Sequence, residues 1–156
     1  LPMIYAGILM LCRSQDRAGT LSLKFRWRFQ NDKACRITSI FPRRSSVRIE
    51  TDIDDIILNS QVLSSLGIII SELVTNSMKY AFREVAYGLM RVSLKKMDDR
   101  VLLLYSDNGS GLPEDGNTEN NSGFGLQLVN MLVKQIDGSL SIEKENGTLF
   151  SIEFTP

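Results

Sequence analysis

Gly67-Ile68-Ile69-Ile70-Ser71-Glu72-Leu73-Val74-Thr75-Asn76-Ser77-Met78-Lys79-Tyr80-Ala81-Phe82 is the run around which the rest of the chain is arranged. At roughly 100° per residue, Glu72, Asn76, Lys79 and Arg83 fall within an arc of about 60°. Leu66, Ile70, Leu73, Val74, Ala81 and, less centrally, Tyr80 fall on the opposite, apolar side. One helix, from about Gln61 to Phe82, therefore buries one face and presents a carboxylate, a carboxamide and an ammonium on the other. A carboxamide oxygen is a hard ligand suited to Mg²⁺. An ammonium suits phosphate oxygens, and a carboxylate can polarise an attacking hydroxyl or water. The same spacing also fits an ordinary amphipathic helix with a solvated charged face, so the flanking chain has to decide.

Working outward, Val47 to Thr51 alternates as a strand and Ile56-Ile57-Leu58 reads as a short second one. After the helix, Leu89–Met97 and Val101–Ser106 form a hairpin across Asp98-Asp99. Asp107-Asn108-Gly109-Ser110-Gly111-Leu112-Pro113 then breaks the sheet. A polar stretch over 114–122 has no apolar anchor. A second helix opens at Gly123-Phe124-Gly125-Leu126 and ends near Ile136, with Gly138 beyond its end. Ser139–Glu145 and Thr148–Thr155 close as a hairpin over Asn146-Gly147. Hairpins rather than crossovers imply a mixed, mainly antiparallel sheet with helices on one face, an α/β sandwich.

Upstream the pattern is different. Residues 1–19 favour helix with Gly19 as a stop signal. Residues 21–29, Leu-Ser-Leu-Lys-Phe-Arg-Trp-Arg-Phe, alternate strictly and read as a strand. Their interleaved basic and aromatic residues also fit a nucleic-acid or membrane-surface patch, but an amphipathic strand is the plainer reading. Lys33–Arg44 shows no clear period, and Pro42-Arg43-Arg44-Ser45-Ser46 marks a boundary.

Charge divides the chain at the same place. The net charge is zero, yet residues 13–48 hold ten Lys/Arg against two acids, and residues 49–156 hold eight against sixteen. With 156 residues, 43% of them hydrophobic, the chain supports one domain with a real core. Cys12 and Cys35 show neither metal-ligand spacing nor a paired framework. The apolar run Met3–Cys12 is too short to span a bilayer and lacks a positive region before it. No histidine is present anywhere.

Three elements add chemistry. Asp107 stands where a strand ends and a glycine-rich loop begins, placed to accept a hydrogen bond from an exocyclic amine; an Asp-Asn-Gly turn is the simpler alternative. Gly109 and Gly111 let backbone approach a flat ring without Cβ interference. Gly123 and Gly125 precede a helix whose first N–H groups are unsatisfied, a natural phosphate seat.

In this order the elements resemble the Bergerat-fold ATP-binding domain of the GHKL superfamily of gyrase, heat-shock chaperone, histidine kinase and mismatch-repair ATPases. Glu72 to Phe82 looks like its N box, Asp107 to Pro113 like its first glycine box, and Gly123 to Leu126 like its second. Gly147-Thr148-Leu149-Phe150 resembles the closing Gly-Thr element. The N box and the short lid look most like sensor histidine kinases of the HWE-like branch. The resemblance covers about residues 47–156.

That resemblance implies roles for named residues. Asp107 binds the adenine amine, supported by Thr148 through a water. Asn76 holds Mg²⁺ against the phosphates, Lys79 contacts phosphate and Glu72 polarises the accepting group. Gly109, Gly111, Gly123, Gly125 and Leu126 shape the nucleotide pocket, and residues 112–122 form a mobile lid. The expected cofactors are ATP and Mg²⁺. The expected partners are a histidine-bearing dimerisation hairpin and a response regulator, with no nucleic acid and no membrane contact from this segment. A dimer is expected only in the full-length protein, and the expected setting is cytoplasmic, with membrane attachment of the full-length parent left open. Residues 46–156 correspond to the catalytic domain. Residues 1–45 correspond to a remnant of the dimerisation helix and linker, Leu11–Asp16 resembling the end of the second helix, although residues 20–42 do not resemble that linker. An anti-sigma-factor type serine kinase and a nucleotide-binding regulatory module without transfer are the alternatives.

Overall fold

Alternation of apolar and polar residues, not helix propensity, sets most of this architecture. A computed structural model describes residues 10–15, 21–26, 34–37, 46–83, 85–110, 124–144 and 146–156, with backbone alone at 10–15, 21–26, 34–37 and 46. In chain order the elements are β1 (Met10–Gln15), β2 (Leu21–Arg26), β3 (Ala34–Ile37) and β4 (Ser46–Ile53). Next comes α1 (Ser60–Asn76), which runs into a π-helical turn (Ser77–Ala81). They are followed by β5 (Tyr87–Met97), β6 (Arg100–Asp107), α2 (Phe124–Gln135), β7 (Ser139–Glu143) and β8 (Thr148–Phe154).

Six strands form one sheet in the order β3-β4-β5-β6-β8-β7. β4 and β5 run parallel, and every other neighbouring pair is antiparallel. The sheet is therefore mixed and mainly antiparallel, as the pattern implies. One connection differs: β4 reaches β5 through α1 as a crossover, because Ile56–Leu58 makes no second strand. Leu58 forms only an isolated bridge, and Ile57 is exposed.

Inward residues of β5, β6 and β8 alternate along each strand: Met90, Val92, Leu94; Val101, Leu103, Tyr105; Phe150, Ile152, Phe154. They share a single core with Leu66, Leu73 and Val74 of α1 and Val129, Leu132 and Val133 of α2. Both helices thus cover the same face of the sheet. Burying a side chain of this size stabilises by about 1.5–3 kcal/mol, so strands and helices both contribute substantially to the core.

Local signals fix the ends. Asn59 caps α1, its side-chain oxygen accepting from the Val62 N–H at 2.9 Å. At the end of α2 the left-handed residue is Asp137 (φ 51°), and the Gly138 N–H donates to the Val133 carbonyl at 2.9 Å. Asn146 and Gly147 both carry positive φ, 53° and 124°, but β7 ends at Glu143 and the Glu143↔Leu149 register is one residue out from that of the expected two-residue turn, so the β7–β8 connection is longer. Lys95 ties the parallel pair together, donating to Asp52 at 2.7 Å and Asp54 at 2.9 Å.

The upstream segment departs from expectation. Met10–Gln15 is a strand, not a helix, pairing antiparallel with Leu21–Arg26 from Met10↔Arg26 to Gln15↔Leu21. Pairing with the next strand, five residues further along the chain, has overridden a weak helix preference. β3 pairs with β4 from Ala34↔Glu50 to Ile37↔Val47, so the sheet draws its edge strand from before residue 46. The rest of the expected helix over 1–19, and residues 27–29, lie outside the described residues.

Candidate functional site

The polar arc of α1 does not simply face solvent. Ser65 and Ile69 lie on the same side of the helix as Glu72 and are buried, because α2 packs against α1 there. Glu72 and Asn76 continue that side and are half-buried. Gly125, inside the first turn of α2 rather than before it, sits directly on them. A Cβ at Gly125 would stand 2.8 Å from Glu72 Oε2, 3.4 Å from Asn76 Nδ2 and 3.7 Å from Asn76 Oδ1. A carboxylate, a carboxamide and the start of a helix thus converge, and a Cβ at this position would push the Glu72 carboxylate aside.

Beyond Asn76 the helix changes character. Over Ser77–Ala81 it takes π geometry, with the Phe82 N–H donating to the Ser77 carbonyl at 3.2 Å. The wider turn rotates less per residue, so Tyr80 lags back from the apolar side. It is 56% exposed, where the regular helix places it toward the core. The Arg83 guanidinium lies over its ring at 5.2 Å from the centroid, and Arg83 Nε donates to the Lys79 carbonyl at 3.0 Å. Lys79 is exposed. The straight row of four polar residues expected from the 100° wheel is therefore broken after Asn76.

Asp107 forms the floor on the other side of the turn. Its carboxylate is buried at 8% exposure and held at both oxygens. Oδ2 accepts from Ser77 Oγ at 2.6 Å, and Oδ1 accepts from the Gly109 N–H at 2.9 Å. Thr148 is its cross-strand partner on β8 and is also buried. Consecutive residues of one helix, Asn76 and Ser77, thus send a carboxamide toward α2 and a hydroxyl toward β6.

Two backbone approaches hold Asp107 in place. A Cβ on Gly109 would come 2.3 Å from Ala81 Cβ and 2.6 Å from its carbonyl oxygen, so the loop lies directly on the π turn. Ser110 fastens it there, its N–H donating to the Ala81 carbonyl at 3.0 Å. Asn108 acts as a surrogate peptide unit. Its Oδ1 accepts from the Leu89 N–H at 2.6 Å and its Nδ2 donates to the Tyr87 carbonyl at 3.1 Å, extending β5–β6 pairing beyond Met90↔Asp107.

Of the remaining expected site residues, Leu126 is half-buried and packs against the core. Gly111, Gly123 and the lid over 112–122 lie outside the described residues. The structure also brings in Ser77 and Tyr105, neither of which the motif reading singles out. Ser77 carried a usable signal: five residues past Glu72, it falls about 140° away, in the middle of the apolar face, where a hydroxyl needs a buried partner.

The donors fit a magnesium nucleotide. The two Asp107 oxygens offer about four lone-pair sites, and two are used by the chain, leaving acceptors for an exocyclic amine. At the other end Mg²⁺ needs only one or two protein oxygens, because it keeps waters and phosphate oxygens as its other ligands. Asn76 alone provides that number. Among the described residues no three His, Cys, Asp or Glu side chains converge as a self-sufficient metal cage.

Comparison with known proteins identifies the family and the fold. Residues 61–156 match the family of histidine kinase-, DNA gyrase B-, and HSP90-like ATPases. The chain is 24% identical over 112 residues to blue-light-activated histidine kinase 2 of Erythrobacter litoralis, covering 70% of this chain and 32% of that protein. It is 32% identical over 96 residues to the sensor histidine kinase PdtaS of Mycobacterium tuberculosis, covering 59% of this chain and 19% of the relative. The chain thus spans about a third of the first relative and a fifth of the second. The solved histidine kinase domain of an Erythrobacter litoralis blue-light-activated kinase shares its fold, with a TM-score of 0.65 at 23% identity over 70% of this chain and 51% of that one. The mycobacterial sensor histidine kinase MprB does so with a TM-score of 0.55 at 22% identity over 70% and 81%. The family match runs through every element from α1 to β8, well over half of the 156 residues, and the chain belongs to the histidine kinase-, DNA gyrase B-, and HSP90-like ATPase family.

Proposed function

We propose that residues 46–156 form the ATP-binding catalytic domain of a two-component sensor histidine kinase, which moves the γ-phosphoryl group of Mg-ATP to a histidine outside this chain. The observation that carries this reading is the meeting of Glu72 and Asn76 with Gly125 at the first turn of α2. There, unsatisfied helix N–H groups suit phosphate oxygens. The Asn76 carboxamide oxygen suits Mg²⁺, and the Glu72 carboxylate can take the proton released by an attacking imidazole.

Mg-ATP supplies the transferable phosphoryl group; positioning and electrostatics come from the chain. Asp107 accepts the base amine, with Thr148 beside it. Lys79, on the π turn, contributes positive charge toward the phosphates. Gly109, Gly125 and Leu126, with Gly111 and Gly123 by resemblance, shape the nucleotide cavity. The acceptor is a helical hairpin bearing a histidine, which also dimerises the full-length protein, and a response regulator receives the phosphoryl group next. No described helix is long and apolar enough to cross a membrane. A cytoplasmic setting, where ATP is available, goes with this function.

Titration with ATP, with and without Mg²⁺, followed by transfer to a separately supplied histidine-bearing hairpin, tests the proposal. This chain has no histidine, so it should carry no acid-labile phosphate itself. The hairpin should acquire it, slowly, because no tether raises its effective concentration. Acid-labile phosphate on this chain alone, or phosphoserine on an added protein, would contradict the assignment.

Asn76 should act through the metal. Asn76→Ala is expected to weaken Mg-ATP binding by about tenfold, the scale of one hydrogen-bond or ligand contact to a charged group, and to change metal-free ATP binding little. Equal losses in both titrations would make Asn76 a structural residue of α1.

A further inference from the structure

We propose that Tyr105, acting through Ser77, fixes the hydrogen-bond polarity of the Asp107 floor so that it accepts an amine and turns away a 6-oxo base. The inference rests on the nucleotide-binding reading above and assigns Tyr105 as a positioning residue for base specificity.

Tyr105 interrupts an apolar row. Val101 and Leu103 precede it on the inward face of β6, and all three are fully buried. Its ring packs edge-on to Phe150, with centroids 6.1 Å apart, a role that phenylalanine could fill. The hydroxyl is the additional feature, and a buried hydroxyl needs a partner. It lies 2.8 Å from Ser77 Oγ and 3.0 Å from Met90 Sδ.

The protons in this row can be assigned. A carboxylate accepts only, so across the 2.6 Å contact the single Ser77 proton points to Asp107 Oδ2. Ser77 Oγ then offers only lone pairs to Tyr105, and the phenol donates to it. The Met90 sulfur is a weak acceptor competing for that same proton. Burial pushes the Tyr105 phenol far above its ordinary range, opposed by the Ser77 hydrogen bond and reinforced by the Asp107 charge, so it remains a donor at neutral pH. The row therefore runs Tyr105 to Ser77 to Asp107. The Gly109 N–H is directed at Oδ1.

As a result no proton of this row is left to point at a ligand. Ser77 and Asp107 present lone pairs only. Adenine offers an exocyclic amine, which matches. A 6-oxo base presents a carbonyl oxygen at that position, and acceptor meets acceptor. Without the Tyr105 hydroxyl, Ser77 is no longer held from behind. It can then rotate its proton toward a 6-oxo oxygen while Asp107 accepts the ring N1–H. Chains of this kind couple their members more strongly than isolated pairs do.

The test is calorimetric titration of the chain with Mg-ATP and with Mg-ITP, which carries a carbonyl in place of the adenine amine. The parent should prefer ATP by about a hundredfold or more, the scale on which unmatched buried polar groups discriminate. Tyr105→Phe should narrow that preference by about tenfold. Both nucleotides are titrated into the same sample, so a partly unfolded variant leaves the ratio intact. Ser77→Ala should weaken ATP binding without improving ITP binding, having no hydroxyl to rotate. Adding Tyr105→Phe to Ser77→Ala should leave the ratio where Ser77→Ala put it. A Tyr105→Phe ratio equal to the parent's, or a further narrowing when Tyr105→Phe is added to Ser77→Ala, would overturn the proposal. A parent that binds neither nucleotide would instead overturn the nucleotide-binding reading, and this one with it.

Discussion

Asp107→Asn is expected to lower affinity for Mg-ATP by about ten- to a hundredfold, the value of a hydrogen bond to a charged group. The isosteric change is severe because both Asp107 oxygens already accept from the chain, one from Ser77 Oγ and one from the Gly109 N–H. An asparagine has one acceptor end and one donor end. If its oxygen faces Gly109, its amino group meets Ser77, whose proton then has no carboxylate to point to. If it is turned over, the amino group meets the Gly109 N–H, donor against donor. The flipped orientation mispairs a buried donor, and the other forces the row to reverse, Ser77 donating to Tyr105 and the phenol to the weaker Met90 sulfur, so either orientation costs about 1 kcal/mol or more of stability as well. The base amine also finds fewer acceptors. Parallel thermal melts and ATP titrations check both effects. An Asp107→Asn variant that is folded and binds ATP as tightly as the parent would remove Asp107 from the site.

The parts of this arrangement that sequence disclosed are those carried by local periodicity. β6 and β8 alternate buried and half-exposed positions along almost their whole length, and the β5–β6 turn is spelled by Asp98-Asp99. The amphipathic helix, the Asp107 loop and the second glycine element can each be found from short runs of residues. What sequence concealed depends on pairing that no single run of residues declares. Met10–Gln15 becomes a strand only by pairing with Leu21–Arg26. Ile56 and Leu58 are buried around an exposed Ile57, a strand-like alternation, but no strand ladder forms beside them.

The π turn is the most instructive omission. A slip of one hydrogen bond leaves composition and capping unchanged, so Ser77–Ala81 reads as the last turn of a regular helix. Its consequences are nevertheless central to the site. Tyr80 is exposed, and the turn carries the Ala81 carbonyl to the Ser110 N–H, while Ser77 stays buried against Asp107 as the regular wheel already places it. The glycine-rich loop is thus moored to the same helix that supplies Asn76. Both ends of the candidate nucleotide site move with α1.

Gly147→Ala is expected to cost the domain about 3 kcal/mol or more, a drop in melting temperature of about 10 °C for a domain of this size. Two independent causes add. At φ 124° the residue occupies backbone space that side-chain-bearing residues rarely adopt. A Cβ there would also lie 1.9 Å from the Asp107 carbonyl oxygen, 2.9 Å from its carbonyl carbon and 3.1 Å from Asn108 Cα. These are main-chain atoms, so no side-chain rotation relieves the contact, and the start of β8 must move away from β6. That movement opens the Asp107↔Thr148 pair, so ATP binding should fall in the fraction that remains folded. Asn146→Gly supplies the control, since its φ of 53° suits glycine as well as asparagine, and it should melt within about 0.5 kcal/mol of the parent, as ordinary surface changes do. A Gly147→Ala protein that melts with the parent and binds ATP equally would show that the Gly147–Asp107 contact does not set the site.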